Sequence, residues 1–276
     1  MLKNLPRLAF LPVEDLVIHE WHDDQRTPPL IERMRASGVF RNPPIVAPLQ
    51  DGTQRYMVLD GANRTTALQK MGYPHALVQI VRPDHPGLKL YTWNHVVWGI
   101  DPAEFFLAIR QLPDIKLVGA EEERPDLWGD CSLASIQVRR GDFFSVCTTV
   151  KELVRRVQIL NALVNSYKDR ASMDRTNERS VVRLKGIYPD LSGIVIFPRF
   201  DIQHVLSLAG AGYLLPTGIT RFTVSPRALH VNYPLEELAA EKPIEEKNEV
   251  LQRWVQERIA RKGVRYYAEA TFLFDE

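Results

Sequence analysis

The stretch Val58-Leu59-Asp60-Gly61-Ala62-Asn63-Arg64-Thr65-Thr66-Ala67-Leu68, closed by Gly72, most constrains what this chain can fold into. An apolar strand runs into an acid and a glycine, and helical spacing begins at once. Such a turn aims the first N–H groups of the helix, which lack partners within it, at one place. Those donors and the positive end of the helix dipole attract anions. Arg64 on the same turn adds a guanidinium suited to phosphate oxygens. The residues predict a phosphate-binding turn; spacing alone leaves open a plain strand–turn–helix connection with a solvated arginine.

Around this turn the first hundred residues read as a compact α/β unit. Leu8 to Val13 is a strand, and Thr27-Pro28 starts a helix that ends near Ser37-Gly38. Pro44 to Leu49 and Gln54 to Leu59 flank an Asp51-Gly52 turn, and His75 to Val81 is a further strand. Beyond it, Pro102 to Gln111 is a helix. Ala134–Arg140 and Phe143–Thr149 form a hairpin about Gly141-Asp142. Residues 150–170 carry apolar side chains at helical spacing. Gly193 to Phe197 is a buried strand, Ile202 to Leu208 a short helix, 244–262 a charge-laced helix and Val264 to Phe274 a closing strand. Elements mix without strict βαβ alternation, so the fold class is α+β. The expected division is 1–100 and 101–276, the second part a larger mixed α/β domain.

The 276 residues, 45% hydrophobic and 25% charged, suit a globular protein with room for two cores. No apolar run approaches the roughly 20 residues that span a bilayer, and Met1 to Arg7 has no signal-peptide core. Cys131 and Cys147 lack metal-ligand companions and are expected to be small buried hydrophobes. The expectation is a cytoplasmic protein with no membrane partner. Basic and acidic residues number 35 and 34, for a net charge of +1, and this balance favours a small-molecule partner over nucleic acid.

Asp60-Gly61-x-x-Arg64-x-x-Ala67, with a glycine after and a strand before, resembles the central box of the ParB/sulfiredoxin superfamily. Within it the chain is most similar to the free L-serine kinases, over about residues 8–100. Val17-Ile18-His19-Glu20, the 59–67 box and Trp93-Asn94-His95 carry the likeness, with a fainter match at Leu215-Pro216-Thr217-Gly218-Ile219-Thr220-Arg221. The resemblance implies a ParB/sulfiredoxin-like N-terminal nucleotide-binding domain, completed by the C-terminal part. It also implies phosphorylation of free L-serine by ADP or ATP with Mg²⁺. Many superfamily members carry a histidine where this chain has Ala62 or Asn63, which leaves Arg64 and the helix N-terminus as the main phosphate donors. Sulfiredoxin chemistry is excluded, because this loop has no cysteine.

Glu20 matches the catalytic glutamate of that family, and a positioned carboxylate is what a serine hydroxyl needs to lose its proton. By itself it reads more readily as an exposed charge at a strand end, and the resemblance reverses that preference. Asp60 is the second candidate catalytic acid, placing Mg²⁺ or orienting Arg64. Gly61, Ala62, Asn63, Arg64, Thr65 and Thr66 are the expected phosphate contacts. The resemblance makes Trp93 a wall of the amino-acid pocket and His95 a binder of substrate or phosphate; core packing is the alternative. Thr220 and Arg221 suit a carboxylate or phosphate, in a segment that is equally a simple turn. No protein metal cage is expected, since Mg²⁺ arrives with the nucleotide. The rival reading is a ParB-like nucleotide switch that binds DNA or a protein without small-molecule turnover.

Overall fold

The computed structural model describes residues 5–22, 24–121 and 131–267. Its first sheet is built from β1 (Arg7–Pro12), β2 (Leu16–Ile18), β4 (Ile45–Pro48), β5 (Tyr56–Asp60) and β6 (His75–Ile80), in the order β1-β6-β4-β5-β2. Helix α1 (Thr27–Ser37) and the short strand β3 (Val39–Phe40) fall between β2 and β4. Gly38, at φ 64, ends α1 in the left-handed conformation that glycine adopts without Cβ strain. β4 and β5 form the expected hairpin, whereas β2 runs parallel to β5. That parallel pairing sends the ends of β2 and β5 out of the same edge. Helix α2 (Ala62–Lys70) starts there.

Alternation along the strands sorts the two faces of this sheet. Val46 and Val58 turn toward a cluster with Phe10, Leu68 and Leu77. Ile45, Ala47, Met57 and Leu59 turn the other way, into a core shared with Val97, Phe105, Leu160 and Phe197. Sheets buried on both faces favour continuous apolar runs, and β4–β6 have them.

The chain then continues through β7 (Leu88–Thr92), β8 (Asn94–Trp98), α3 (Pro102–Arg110), β9 (Lys116–Ala120), β10 (Ser132–Val138) and β11 (Phe143–Cys147). Next come α4 (Leu153–Lys168), β12 (Ser172–Thr176), α5 (Val181–Leu184), β13 (Leu191–Ile196), α6 (Ile202–Gly210) and β14 (Thr220–Val224). A second sheet has the order β12-β8-β13-β10-β11-β9, with every pair antiparallel. β14 pairs with β7 as a separate ribbon. The last elements, β15 (Tyr233–Pro234), α7 (Leu235–Ala239) and α8 (Ile244–Ala260), return to the first sheet. There Asn248 Oδ1 accepts from the Phe10 N–H at 2.8 Å, and Leu238 and Leu251 join the cluster around Phe10. The fold is α+β.

Two expectations are corrected. Cys131 is exposed, and its Sγ lies 2.8 Å from that of Cys147 at the open end of the β10–β11 hairpin; strand pairing, not burial, brings the thiols together. Residues 264–267 form no strand, and 268–274 lie outside the described residues. Among the described residues no helix is long and apolar enough to cross a membrane.

Candidate active site

β2 delivers His19 and Glu20 beside a distant segment. The Trp21 N–H donates to the Leu215 carbonyl at 3.0 Å, and the Leu215 N–H to the His19 carbonyl at 2.9 Å. Beyond Leu215, Gly218 adopts φ 69 and the chain enters β14. Glu20 Oε1 accepts from the Gly218 N–H at 3.1 Å. Its Oε2 accepts from the Thr220 N–H at 3.1 Å and from the Thr220 hydroxyl at 2.7 Å. Three donors thus fix a half-buried carboxylate, and Oε1 keeps an acceptor position open. His19, buried behind it, donates from Nδ1 to the Val58 carbonyl at 2.7 Å. Burial lowers the His19 pKa, against the raising influence of the Glu20 charge.

The opposite rim is the 60–66 turn. Gly61 sits at φ 99 and offers α2 no side-chain cap, so the first-turn N–H groups are left to the cavity that Gly61, Ala62, Asn63 and Arg64 line. A Cβ on Gly61 would lie 2.8 Å from Arg64 Nη2 and 3.0 Å from Pro44 Cα, so side chain and backbone both require glycine there. Arg64 Nη2 donates to Asp60 Oδ2 at 3.2 Å, and Arg227 donates to the same oxygen. Burial opposes the Asp60 charge, but the two guanidiniums prevail and hold its carboxyl below the usual range. Thr65 and Thr66 turn elsewhere. The Thr65 hydroxyl is buried on the Gly61 carbonyl at 3.3 Å, and the Thr66 hydroxyl pairs with His22 Nε2 at 2.9 Å.

Trp93 and Arg221 come together as a stack. The guanidinium lies 4.7 Å from the Trp93 ring centre and 5.8 Å from that of Tyr91, and it donates to Asn177 Oδ1 at 2.9 Å. Both residues line the cavity. His95 does not. It has no exposure, it pairs with the Tyr167 hydroxyl at 2.8 Å, and it packs against the Phe197 ring. Burial drives its pKa down to about 3 and keeps it neutral. Its Nε2 donates to the Gly218 carbonyl at 3.3 Å, so it supports the turn that holds Glu20 rather than facing a ligand.

These groups surround a cavity of ≈ 1300 Å³. Among the described residues seven arginines line it (26, 33, 41, 64, 175, 221 and 227), against the two acids Glu20 and Asp60. A chain of net charge +1 has therefore concentrated its positive charge at one place. Arg26, Arg33, Arg41, Arg175, Arg227 and His22 were not anticipated. Arg26, Leu30, Arg33, Met34 and Ser37 recur at helical spacing, a pattern that could have marked a mixed cationic and apolar face; Arg175 and Arg227 carry no such signal. Leu30, Met34, Val39 and Phe40 form an apolar flank. Among the described residues no group of three or more His, Cys, Asp or Glu could hold a metal ion.

No family model matches the chain. The ATP-dependent L-serine kinase SbnI of Staphylococcus aureus is 25% identical over 276 residues, 98% of this chain and 97% of that one, so the likeness extends through the C-terminal half. The ADP-dependent L-serine kinase SerK of Thermococcus kodakarensis is 30% identical over 85 residues, only 31% of this chain and 35% of that one. A structure of a free serine kinase in complex with AMP superposes with a TM-score of 0.68 at 19% identity, covering 86% of this chain and 95% of that one. The fold is that of the free serine kinases. The α+β architecture is thus shared along most of the length, 86% of this chain.

Proposed function

We propose that this protein phosphorylates free L-serine to O-phospho-L-serine with ATP or ADP. The observation that carries the reading is one cavity with a fixed carboxylate on one rim and an uncapped helix N-terminus with Arg64 and Arg227 on the other. Glu20 is fixed by donors but keeps an acceptor position open on Oε1, which suits the proton of an incoming hydroxyl. The α2 N-terminus, Arg64 and Arg227 suit the phosphates, and the flank of Leu30, Met34 and Phe40 suits the nucleobase. Serine would sit between Glu20 and the Trp93–Arg221 stack, with Arg221 available to its carboxylate. A relative matched along 97% of its length and named an L-serine kinase supports the same reading.

In this mechanism the chain's own residues orient and neutralise. Asp60 holds two guanidiniums in place rather than acting on the substrate. Because its Oδ2 is committed to both, a Mg²⁺ would be held mainly by phosphate oxygens and waters, with Asp60 Oδ1 available beside them. Bound there, Mg²⁺ would neutralise charge on the transferring phosphoryl group. Residues 1–100 supply most of the nucleotide side, 101–276 add Arg227 to it and complete the serine side, and a cytoplasmic setting belongs to the same reading. Purified protein incubated with serine, Mg²⁺ and either ATP or ADP should form phosphoserine, detectable by mass spectrometry. No product with either nucleotide would sink the proposal.

A further inference from the structure

The kinase reading leaves one arginine of the cavity without a task. Arg64 and Arg227 are tied to Asp60, and Arg221 to Asn177 and the Trp93 ring. Arg175 also lines the cavity, yet among the described residues its guanidinium makes no hydrogen bond and no ion pair. It comes from β12, an edge strand of the second sheet, where it lies directly opposite His95. Opposed residues of an antiparallel pair leave the sheet on the same face, and both reach the turn that holds Glu20. His95 Nε2 donates to the Gly218 carbonyl. The Arg175 guanidinium lies over Gly218 itself, where a Cβ would fall 2.6 Å from its Cζ and 2.7 Å from its Nη2. Gly218 therefore does two things: its N–H holds Glu20 Oε1 at 3.1 Å, and its missing side chain makes room for the guanidinium. The charge is felt inward too, since burial lowers the His95 pKa and Arg175 adds to the lowering.

A cation at this place answers a problem of charge. A carboxylate base meets the serine hydroxyl, and a multiply charged phosphoryl group must arrive at the same hydroxyl. Like charges so close repel. Arg64 and Arg227 suit the phosphates on the opposite rim, and transfer carries the phosphoryl group away from them. We propose that Arg175 is a catalytic residue that grips the phosphoryl group on the serine side of the transfer, in the transition state and in the phosphoserine product. The inference rests on the kinase reading above. The serine O–H bond breaks as its oxygen bonds to phosphorus, and the proton goes to the open position on Glu20 Oε1. The bridging P–O bond of the nucleotide breaks, its electron pair staying on the departing nucleotide oxygen. Arg175 keeps its protons throughout and donates N–H bonds to the phosphoryl oxygens, which its planar fork matches. It has no partner to give up in doing so. Arg221, committed before any substrate arrives, suits instead the serine carboxylate, whose charge the reaction does not change.

Three variants of the full chain test this: Arg175→Ala, Arg175→Gln and Arg175→Lys. Turnover to phosphoserine and the thermal midpoint are followed, with calorimetry on serine, O-phospho-L-serine and nucleotide separately. Arg175→Ala should lower kcat by roughly 10²-fold, the scale of one donor aimed at charge that develops in the transition state. Phosphoserine affinity should fall roughly tenfold or more, the loss of one charge-assisted hydrogen bond. Serine and nucleotide affinities should stay within about threefold of wild type. Arg175→Lys keeps the charge without the fork and should fall between the two. The split between phosphoserine and serine is what a merely structural role would not produce. Turnover of Arg175→Ala within about threefold of wild type overturns the assignment. So does an equal loss of serine and phosphoserine affinity, which would make Arg175 a support of the Glu20 turn or a carboxylate binder. If Arg175→Ala does not fold, Arg175→Gln decides by the same split. An inactive wild type removes the kinase reading and the assignment together. An active wild type with an unimpaired Arg175→Ala removes the assignment alone.

Discussion

The two rims of the cavity are assembled in opposite ways. The phosphate rim is mostly local: Asp60, Gly61 and Arg64 lie within five consecutive positions, placed by one strand, one glycine and one helix start, and Arg227 joins them from the far end of the chain. The carboxylate rim is not. Glu20 is held by Gly218 and Thr220, some 198 and 200 positions away, and only closure of the whole chain brings them together. Local turns form at small entropic cost, while long loops must be closed before their contacts reward them. The phosphate rim should therefore survive damage to the second half better than the carboxylate rim does. The predictions below set one rim against the other.

The largest effect belongs to the carboxylate rim. Glu20→Gln keeps the size but removes the proton acceptor and turns an NH2 toward one of the two N–H donors, Gly218 or Thr220. Phosphoserine formation should fall by roughly 10²-fold or more, while calorimetry finds nucleotide affinity nearly unchanged. Retention of a tenth of the turnover would remove Glu20 as the main base.

Next is the phosphate rim. Arg64→Ala should weaken nucleotide binding by about 1.5–3 kcal/mol, the range for a charge-assisted hydrogen bond. Serine binding should change little. Equal ATP and ADP affinity in variant and wild type would leave the 60–66 turn with only a structural role.

How far each rim could be read in advance follows the same divide. The Asp60–Ala67 box could be read because strand, glycine, helix and arginine sit in one window. Glu20 could be singled out, but not what holds it: nothing near position 20 points to Gly218 or Thr220. His95 shows the limit of reading residue types. A histidine beside a tryptophan looks like a binder, yet its place on β8, flanked by β12 and β13 in the second sheet, buries it against Tyr167 and Phe197. Thr65 and Thr66 differ for another reason, since the turn of α2 carries their hydroxyls away from the cavity that Gly61, Ala62, Asn63 and Arg64 line. The concentration of arginine was hidden by an overall charge near zero. The strand β2, three residues long, is too short to carry a period, and its parallel partner is fixed by tertiary packing.

A matched pair of glycines sharpens the contrast at intermediate size. Gly218→Ala places a Cβ at φ 69, a strain of about 1–2 kcal/mol. The same Cβ also displaces the Arg175 side chain, which is flexible. The turn should open and release Glu20 Oε1, so kcat falls several-fold while nucleotide affinity holds. Gly61→Ala, pressed against Arg64 and the Pro44 backbone, should do the reverse and act chiefly on nucleotide affinity. Identical kinetic signatures from the two variants would erase the distinction between the rims.

The smallest effect concerns Asp60, which ties Arg64 from α2 to Arg227 from the far end of the chain and so links local to non-local structure. Its pKa is lowered in the folded protein. A carboxyl with a depressed folded value binds fewer protons than its unfolded counterpart between the two pKa values, so its contribution to stability is fully present above the unfolded value of about 3.9. That contribution is lost as pH falls through the folded value. Asp60→Asn should therefore lower the thermal midpoint modestly at neutral pH, modestly because the carboxylate is partly exposed and solvent screens it. The gap between variant and wild type should narrow as pH drops below about 4. Thermal scans of both proteins across that range check the sign. A gap that widens toward acid, or stays constant, would mean that the two arginines owe their placement to packing rather than to the Asp60 charge.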